Sequence, residues 1–200
     1  IIMRERYNRL RFLKALSAAG AAWAMGQLSA AAPLACQPPQ RGRRVGIIGL
    51  DTSHSIAFTK ALNTAEAAAD YQGYKVVAAY PYGTTTIESA SKRIPAYTEE
   101  VKKLGVTIVG SIQALLTQTD VILLETNDGR LHLEQAREVI QARQPLFIDK
   151  PIATTLHDTK AIFELAAQYK VPVFSSSALR FTRSTQEVVS GQIGKVSGAD

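Results

Sequence analysis

The chain has 200 residues, of which 46% are hydrophobic and 20% are charged, values typical of a globular protein. This composition excludes an intrinsically disordered chain and a collagen-like chain. The single cysteine, Cys36, has no partner for an internal disulfide, which excludes a disulfide-built scaffold. The 23 Lys and Arg against 17 Asp and Glu give a formal net charge of +6, which raises the question of a nucleic-acid or membrane partner.

The excess of positive charge lies in the first 44 residues. This segment has eight Lys and Arg against one acid, Glu5, and thus a net charge of +7. Residues 45–200 have fifteen basic and sixteen acidic residues, a net charge of −1. The larger part of the chain therefore lacks the basic surface that nucleic-acid binding requires, and we expect no nucleic-acid partner.

Residues 1–36 are predicted to be an export signal. Basic residues up to Lys14 precede an uncharged run rich in Ala, Gly and Ser, and residues 30–32 are small alanines suited to cleavage. Residues 9–14 (Arg-Leu-Arg-Phe-Leu-Lys) resemble the twin-arginine pattern, with Leu10 in place of the second arginine. We therefore expect a twin-arginine-like signal and an exported, periplasmic protein.

Three other interpretations of this leader stay open. Its uncharged run approaches the ~20 residues that span a bilayer, so it would serve as an uncleaved membrane anchor. Cys36 would be a lipidation site, although Pro33 stands where a lipobox has leucine. The third interpretation is a plain surface helix. In each case membrane contact is expected only through the leader.

From Arg43 onward, short apolar runs alternate with stretches of helical periodicity. Most of these runs are continuously apolar, which is typical of parallel strands covered on both faces. The alternation predicts an α/β fold, a Rossmann-like doubly wound parallel sheet with its ligand at the carboxyl ends of the strands. The predicted strands are residues 45–49, 75–79, 107–109, 121–125, 146–148 and 171–174. The predicted helices are residues 55–69, 96–104, 111–116 with Ser111 as N-cap, 131–142 and 155–169, and residues 80–95 are predicted to form a long loop.

The first predicted strand ends in a degraded dinucleotide fingerprint. Of the three glycines of G-x-G-x-x-G only the first is present, as Gly49, and Asp51 and His54 occupy the other two positions. Asp51 adds bulk and negative charge where a pyrophosphate approaches the backbone. Thr52 and Ser53 can donate hydrogen bonds to a ligand at the start of the next helix, or they and Asp51 only cap that helix.

The end of the second predicted strand lacks the acid that binds an NAD ribose. The chain continues there as Ala-Tyr-Pro-Tyr-Gly through Gly83. Three explanations stay open: a phosphorylated ribose, a different position of the adenosine, or no dinucleotide. Lys92 and Arg93 are the nearest cations for a 2′-phosphate, and both also fit ordinary surface charge.

Three later strand ends carry polar residues, at 125–129, 149–151 and 175–181. Taken in chain order, these three strand ends and the turn after the first strand resemble the N-terminal half of the glucose–fructose oxidoreductase and inositol dehydrogenase family (Gfo/Idh/MocA). The resemblance is carried by residues 46–54, the strand 120–126, His132 and above all Asp149-Lys150-Pro151, where the family has Glu-Lys-Pro.

The resemblance implies an oxidoreductase that uses NAD or NADP and acts on a sugar, polyol or related small molecule. Lys150 would be the catalytic residue, which orients substrate hydroxyls and assists proton transfer, and Arg180 would face the substrate. The residues that would line the cofactor are Thr126, Asn127, His132, Asp149 and Pro151, together with Gly49, Asp51, Thr52, Ser53 and His54.

Plainer roles for three of these side chains stay open. Lys150 would pair with Asp149 or be an ordinary surface charge. His132 would be a solvated helix histidine. Arg180 would pair with an acid of a further domain.

The resemblance also sets the expected domains. Residues 43–180 would form the nucleotide-binding domain, and residues 181–200 would begin a truncated C-terminal substrate domain, with residues 194–196 resembling its opening. We expect the full-length protein to be the enzyme, with homo-oligomers compatible with it, and this part alone to be inactive.

The competing hypothesis is a non-catalytic Rossmann-like protein that has lost dinucleotide binding and binds another ligand or a partner. An open space above Gly49 would count against that hypothesis, and an Asp51 side chain filling the space would count against the enzyme. We expect no metal site, because His54, His132 and His157 share no metal-ligand spacing. Residues 175–177 lack the glycine-flanked elbow of a serine hydrolase.

Overall fold

The computed structural model describes residues 43–64 and 71–198. The predicted export signal and the end of the first predicted helix, residues 65–69, lie outside this range. In chain order the elements are β1 (Arg44–Ile48), α1 (Ser53–Asn63), β2 (Lys75–Tyr80), α2 (Glu88–Ser91), α3 (Ile94–Lys103), β3 (Thr107–Ile108), α4 (Ile112–Leu116), β4 (Val121–Leu124), α5 (His132–Gln141), β5 (Leu146–Asp149), α6 (Leu156–Tyr169), β6 (Val173–Ser176), a 3-10 helix (Ala178–Phe181) and α7 (Arg183–Val189).

The six strands form one parallel sheet in the order β3-β2-β1-β4-β5-β6. The chain builds outward from β1 to β3 on one side and then returns to place β4 on the other side of β1. The strand order therefore reverses between β1 and β4, and such a switch point leaves a crevice at the carboxyl ends of the strands. The predicted Rossmann-like doubly wound fold is confirmed.

The core lies on both faces of the sheet, as the continuously apolar strands predict. Within β1, Ile47 packs into the cluster beneath α1 and α3, whereas Ile48 packs into the cluster beneath α4, α5 and α6. Both side chains are fully buried. Burial of each such side chain contributes about 1.5–3 kcal/mol, so the apolar runs that identify the strands also stabilise the layers.

Side-chain caps begin several helices where the sequence predicts them. The Ser111 hydroxyl accepts a hydrogen bond from the Ala114 amide at 3.1 Å, and the Thr155 hydroxyl accepts one from the Asp158 amide at 3.0 Å. Each cap satisfies an amide that has no partner within the helix. The observed strands lie within two residues of the predicted ones.

Helix α1 begins two residues earlier than predicted and ends at Asn63. Thr64 is already extended, and the Asn63 side chain forms two hydrogen bonds to the backbone of Val76 in β2, both at 2.9 Å. These bonds hold the end of α1 against the sheet. Residues 80–95, predicted to be irregular, contain helix α2 and the first residues of α3, so this prediction is wrong in part.

The region after β6 contains no further strand within the described residues. The 3-10 helix and α7 follow β6, and described residues 190–198 form no strand around residues 194–196. In the described part of the chain no helix is both long and apolar enough to cross a membrane.

Candidate functional site

Gly49 makes the turn at the end of β1. Its φ is +88°, and a Cβ added there would lie 2.6 Å from the backbone nitrogen of Thr126. The Gly49 amide donates to the Tyr80 carbonyl at 2.9 Å. Because both the left-handed backbone and the close approach to β4 exclude a side chain, this position requires the glycine that the fingerprint predicts.

Asp51 links the loops that follow β2 and β4. Its carboxylate is fully buried and accepts hydrogen bonds from the Thr84 amide at 2.9 Å and from the Asn127 amide at 3.0 Å. A Cβ added at Gly83 would lie only 2.2 Å from the Asp51 Oδ2. The side chain therefore occupies space at the switch point, which counts against a pyrophosphate that follows the usual path over this position.

Thr52, not Asp51, is the N-cap of α1. The Thr52 hydroxyl accepts a hydrogen bond from the His54 amide at 3.3 Å, and the Ser55 hydroxyl donates to the Thr52 carbonyl at 2.7 Å. Asp51 and Thr52 are buried, whereas Ser53 is exposed and His54 is partly exposed. A ligand at this helix end would therefore contact Ser53 and His54.

A histidine and two carboxylates meet beside this helix end. His54 Nδ1 lies 2.6 Å from Asp149 Oδ2 at the end of β5, and the other Asp149 oxygen accepts a hydrogen bond from the Lys150 amide at 2.8 Å. Glu125, the residue after β4, completes the group, with donor atoms of all three side chains within 4.8 Å of one another. The structure thus brings together His54 and Asp149, both predicted site residues, with a third that the prediction missed.

Glu125 is fully buried, and neither carboxylate oxygen has a hydrogen-bond partner among the described residues. Burial raises the pKa of Glu125 well above its ordinary value, the neighbouring Asp149 raises it further, and the positive charge of Lys150 lowers it. The sequence signal for this side chain is an acid at the end of an apolar run, and Glu125 is the last residue of the predicted strand 121–125.

Lys150 is exposed at the carboxyl end of β5, after the Asp149 carboxylate. Among the described residues no carboxylate forms an ion pair with its ammonium group, since Asp149 pairs with His54 instead. An ion pair between Lys150 and Asp149 is therefore not what this structure shows. The ammonium group of Lys150 is therefore available at the carboxyl edge of the sheet, where a ligand of this fold is expected to bind.

His132 is fully buried at the start of α5, so its interpretation as a solvated histidine is wrong. Its Nε2 lies 2.7 Å from the Thr126 carbonyl and its Nδ1 lies 3.0 Å from the Ile152 carbonyl. The ring ties the loop after β4 to the loop after β5. Thr126 is itself a predicted cofactor residue, and the role of His132 toward a cofactor stays a prediction.

The remaining predicted residues surround this edge at different depths. Thr126 is buried, Asn127 is half-buried and its amide is held by Asp51, and Pro151 is exposed. Arg180 is exposed on the 3-10 helix, and no ion pair between described residues involves it. The predicted pairing of Arg180 with either a substrate or a further domain stays a prediction.

A second polar network, which the sequence did not indicate, orders the loop after β2. Asp128 is buried and accepts hydrogen bonds from the Arg130 side chain at 2.8 and 2.7 Å and from the Thr84 hydroxyl at 3.1 Å. Arg130 also donates to the Thr86 hydroxyl at 2.5 Å. The Arg130 guanidinium holds the pKa of Asp128 well below its ordinary value. Together with Asp51, this network ties the loop where the ribose acid was expected.

Comparison with known families gives a match that covers most of the described chain. A model described as an oxidoreductase family with an NAD-binding Rossmann fold (GFO_IDH_MocA) matches residues 43–177. This range runs from the residue before β1 to the residue after β6, so it covers the whole parallel sheet. A comparison with curated protein sequences found no match.

Similar solved structures include a dehydrogenase, WlbA from Bordetella pertussis, in complex with NADH and UDP-GlcNAcA. It is 24% identical with a TM-score of 0.55, and the match covers 76% of this chain and 42% of that one. An apo scyllo-inositol dehydrogenase from Lactobacillus casei is 21% identical with a TM-score of 0.57, covering 78% and 44%. A UDP-N-acetylglucosamine 3-dehydrogenase, GnnA from Acidithiobacillus ferrooxidans, is 16% identical with a TM-score of 0.57, covering 76% and 42%.

These three likenesses show the fold of the chain. The matched part spans less than half of each of the three structures.

Proposed function

The chain belongs to the Gfo/Idh/MocA oxidoreductase family, and from this premise we propose that it is the nucleotide-binding part of an NAD- or NADP-dependent oxidoreductase. The substrate we propose is a sugar, polyol or related hydroxylated small molecule. The observation that carries the proposal is Lys150, exposed and free of an ion pair among the described residues, at the carboxyl end of a central strand. The sugar and inositol dehydrogenases among the similar structures support this substrate class.

The residues present fit a dinucleotide in part. The Gly49 turn permits close backbone approach, and the exposed Ser53 lies at the N-terminus of α1, where partial positive charge favours a phosphate. Asp51 does not fit, because its buried carboxylate adds negative charge at the switch point. We therefore place the ligand over Ser53 and His54 and leave the path of the pyrophosphate undefined. When bound, the cofactor supplies hydride transfer.

Lys150 has the chemistry to position a substrate hydroxyl. Its ammonium group offers three hydrogen-bond donors, and deprotonated it can accept the proton that an alcohol loses on oxidation to a carbonyl. Two hydrogen bonds hold the loop at Lys150. The Lys150 amide donates to Asp149, and the ring of the buried His132 bonds to the carbonyl of Ile152, two residues after Lys150. A fixed backbone limits the positions that the ammonium group can reach, which favours an oriented substrate.

The test uses the full-length protein and the fluorescence of NADH and NADPH. We expect one of the two to bind, and we expect Lys150→Met to lower kcat by about 10²- to 10⁴-fold with little change in cofactor affinity. Lys160→Met, which removes an exposed cation of α6, is the matched control and should leave both values unchanged. Equal loss of activity in the two variants would remove Lys150 from the mechanism.

Asp51 favours a second candidate, a Rossmann-like protein that binds a different ligand or a partner. The same titration separates the two, because this candidate binds neither nicotinamide cofactor. No change in nicotinamide fluorescence at millimolar concentration would reject the oxidoreductase.

A further inference from the structure

We propose that His54, Glu125 and Asp149 form a binding site for a divalent first-row transition-metal ion, such as Zn²⁺. The three side chains come from the start of α1, the end of β4 and the end of β5. Each offers one donor atom, and these atoms lie within 4.8 Å of one another. The site lies at the carboxyl edge of the sheet beside Lys150, and it shares His54 with the degraded fingerprint and with the cofactor position proposed above.

The unpartnered carboxylate of Glu125 is the observation that points to a ligand. The side chain is fully buried, and both oxygens lack a hydrogen-bond partner among the described residues. By contrast, the buried carboxylates of Asp51 and Asp128 each accept hydrogen bonds from at least two groups. Burial of a carboxylate without a hydrogen-bond partner or a counter-charge is unfavourable. A cation that coordinates Glu125 would supply the missing partner.

The donor set selects the kind of cation. One imidazole nitrogen and two carboxylate oxygens suit Zn²⁺, Mn²⁺ or Fe²⁺, whereas Mg²⁺ and Ca²⁺ prefer oxygen donors alone. Three protein ligands also match catalytic zinc sites, which leave a fourth position for water or substrate. His54 is 30% exposed at its side chain, so the site has a path to solvent.

The distances require modest side-chain movement. Metal–ligand bonds of about 2.1 Å place two ligand atoms roughly 3.0–3.5 Å apart. His54 Nδ1 and Asp149 Oδ2 are 2.6 Å apart, so this pair would open slightly, and the atoms up to 4.8 Å apart would draw together. The Lys150 amide already donates to the other Asp149 oxygen at 2.8 Å, and hydrogen bonds of this kind orient the ligands of metal sites.

The charges favour a divalent ion over the protein groups alone. Metal binding requires deprotonated ligands, and in that state the two carboxylates and the neutral imidazole carry a charge of −2, which one divalent cation neutralises. The charge of Lys150 acts on Glu125 as well, but its side chain is exposed and it is not among the partners of either Glu125 oxygen. The competing explanation is a shared proton only, held between the carboxylates and His54 without a metal.

The experiment measures metal binding without nicotinamide, so that its result is independent of the proposed oxidoreductase. The full chain carries Cys36→Ser, because a thiolate in the leader would itself bind zinc. After treatment with a chelator, the protein is titrated with ZnCl₂ by calorimetry and with CoCl₂ by visible absorption. We expect one ion per chain and Co²⁺ absorption bands typical of nitrogen and oxygen ligands.

The variants assign the ligands. Glu125→Gln and His54→Gln should each weaken Zn²⁺ binding by at least about 100-fold, since even the loss of an outer partner costs about 10- to 100-fold. His157→Gln is the matched control, because it removes an exposed histidine that also contacts an aspartate, Asp158, at 3.1 Å. This control should bind Zn²⁺ as the parent does.

Absence of Zn²⁺ binding by the parent would overturn the proposal and favour the shared proton. Unchanged binding by Glu125→Gln would overturn it as well, and so would an equal loss in His157→Gln. Circular dichroism reports whether the variants fold. If Glu125→Gln and His54→Gln both unfold, the Co²⁺ spectrum of the parent decides, and a spectrum without an imidazole ligand would reject the site.

Discussion

At the scale of single residues, three buried carboxylates differ in their hydrogen bonding. Asp51, which replaces a fingerprint glycine, is bonded to the amides of Thr84 and Asn127. Asp128 is bonded to Arg130 and Thr84. Glu125 alone among these three has no hydrogen-bond partner in the described residues. Satisfied carboxylates hold loops in place, whereas an unsatisfied one is a candidate for ligand binding.

The prediction at this scale is that low pH destabilises the protein through Asp128, and the variant Asp128→Asn tests it. Arg130 lowers the pKa of Asp128 in the folded protein below its value of 3.8 in the unfolded chain. The stabilisation is therefore present above pH 4 and is lost as the pH falls below that value. Between pH 5 and pH 3 the wild type should lose up to about 1 kcal/mol of unfolding free energy through this group, since solvent at the exposed Arg130 screens the pair.

Urea unfolding at the two pH values checks this prediction. Asp128→Asn should lack that part of the acid-dependent loss, and Glu164→Gln, which changes an exposed acid of α6, should keep it. An identical pH dependence in Asp128→Asn and the wild type would contradict the prediction.

At the scale of elements, local signals place most helix and strand boundaries. The hydroxyl caps at Ser111 and Thr155 and the apolar runs of the strands act within a few residues, so they can be read along the chain. Boundaries set by distant partners are different. The end of α1 at Asn63 depends on bonds to Val76 in β2, and the sequence pattern there predicts a longer helix.

At the scale of elements, the turn between β1 and α1 leads to a prediction about stability. Gly49→Ala should destabilise the protein by about 3 kcal/mol or more, because the left-handed backbone penalty adds to a clash with Thr126. Gly105→Ala is the matched control, since Gly105 has a φ of +83° but nothing within 4 Å of an added Cβ. It should cost only about 1–2 kcal/mol.

Urea unfolding midpoints of the two variants measure the difference. Equal destabilisation by Gly49→Ala and Gly105→Ala would mean that the approach of β1 to Thr126 contributes nothing beyond the backbone conformation.

At the scale of the whole molecule, the charge divides into a basic N-terminal segment and a nearly neutral remainder. The first 44 residues carry +7 and the others −1. From this division and the pattern of residues 9–14 we propose that the protein is exported to the periplasm by a twin-arginine-like signal. The basic excess then belongs to targeting and not to a binding surface of the sheet domain.

Lysine substitution tests this proposal while keeping the charge. Arg9→Lys with Arg11→Lys should reduce the periplasmic fraction several-fold, because the twin-arginine route reads arginine and not charge alone. Arg4→Lys with Arg6→Lys, outside the pattern, is the control and should export normally. The measurement is the periplasmic yield, and an unchanged yield in the first variant would remove the twin-arginine assignment.

The fold was largely predictable, and the candidate site only in part. Gly49 and Lys150 lie in short motifs that can be recognised from residue types and spacing along the chain. The burial of His132 was not predictable, because its partners, the carbonyls of Thr126 and Ile152, belong to two loops that meet only in the folded protein. Asp51 was recognised as a departure, but its amide partners follow two other strands.

The sequence by itself determined the order of the six strands and of most helices, the parallel arrangement of the strands and the division of charge. These features depend on periodicity and composition over short windows, where local physical chemistry decides the outcome. Only the tertiary structure decided that His54 and Asp149, 95 residues apart, lie 2.6 Å from each other beside the unpartnered Glu125. The reason is physical, since a parallel sheet brings the ends of distant strands to one edge, and no local pattern encodes which side chains meet there.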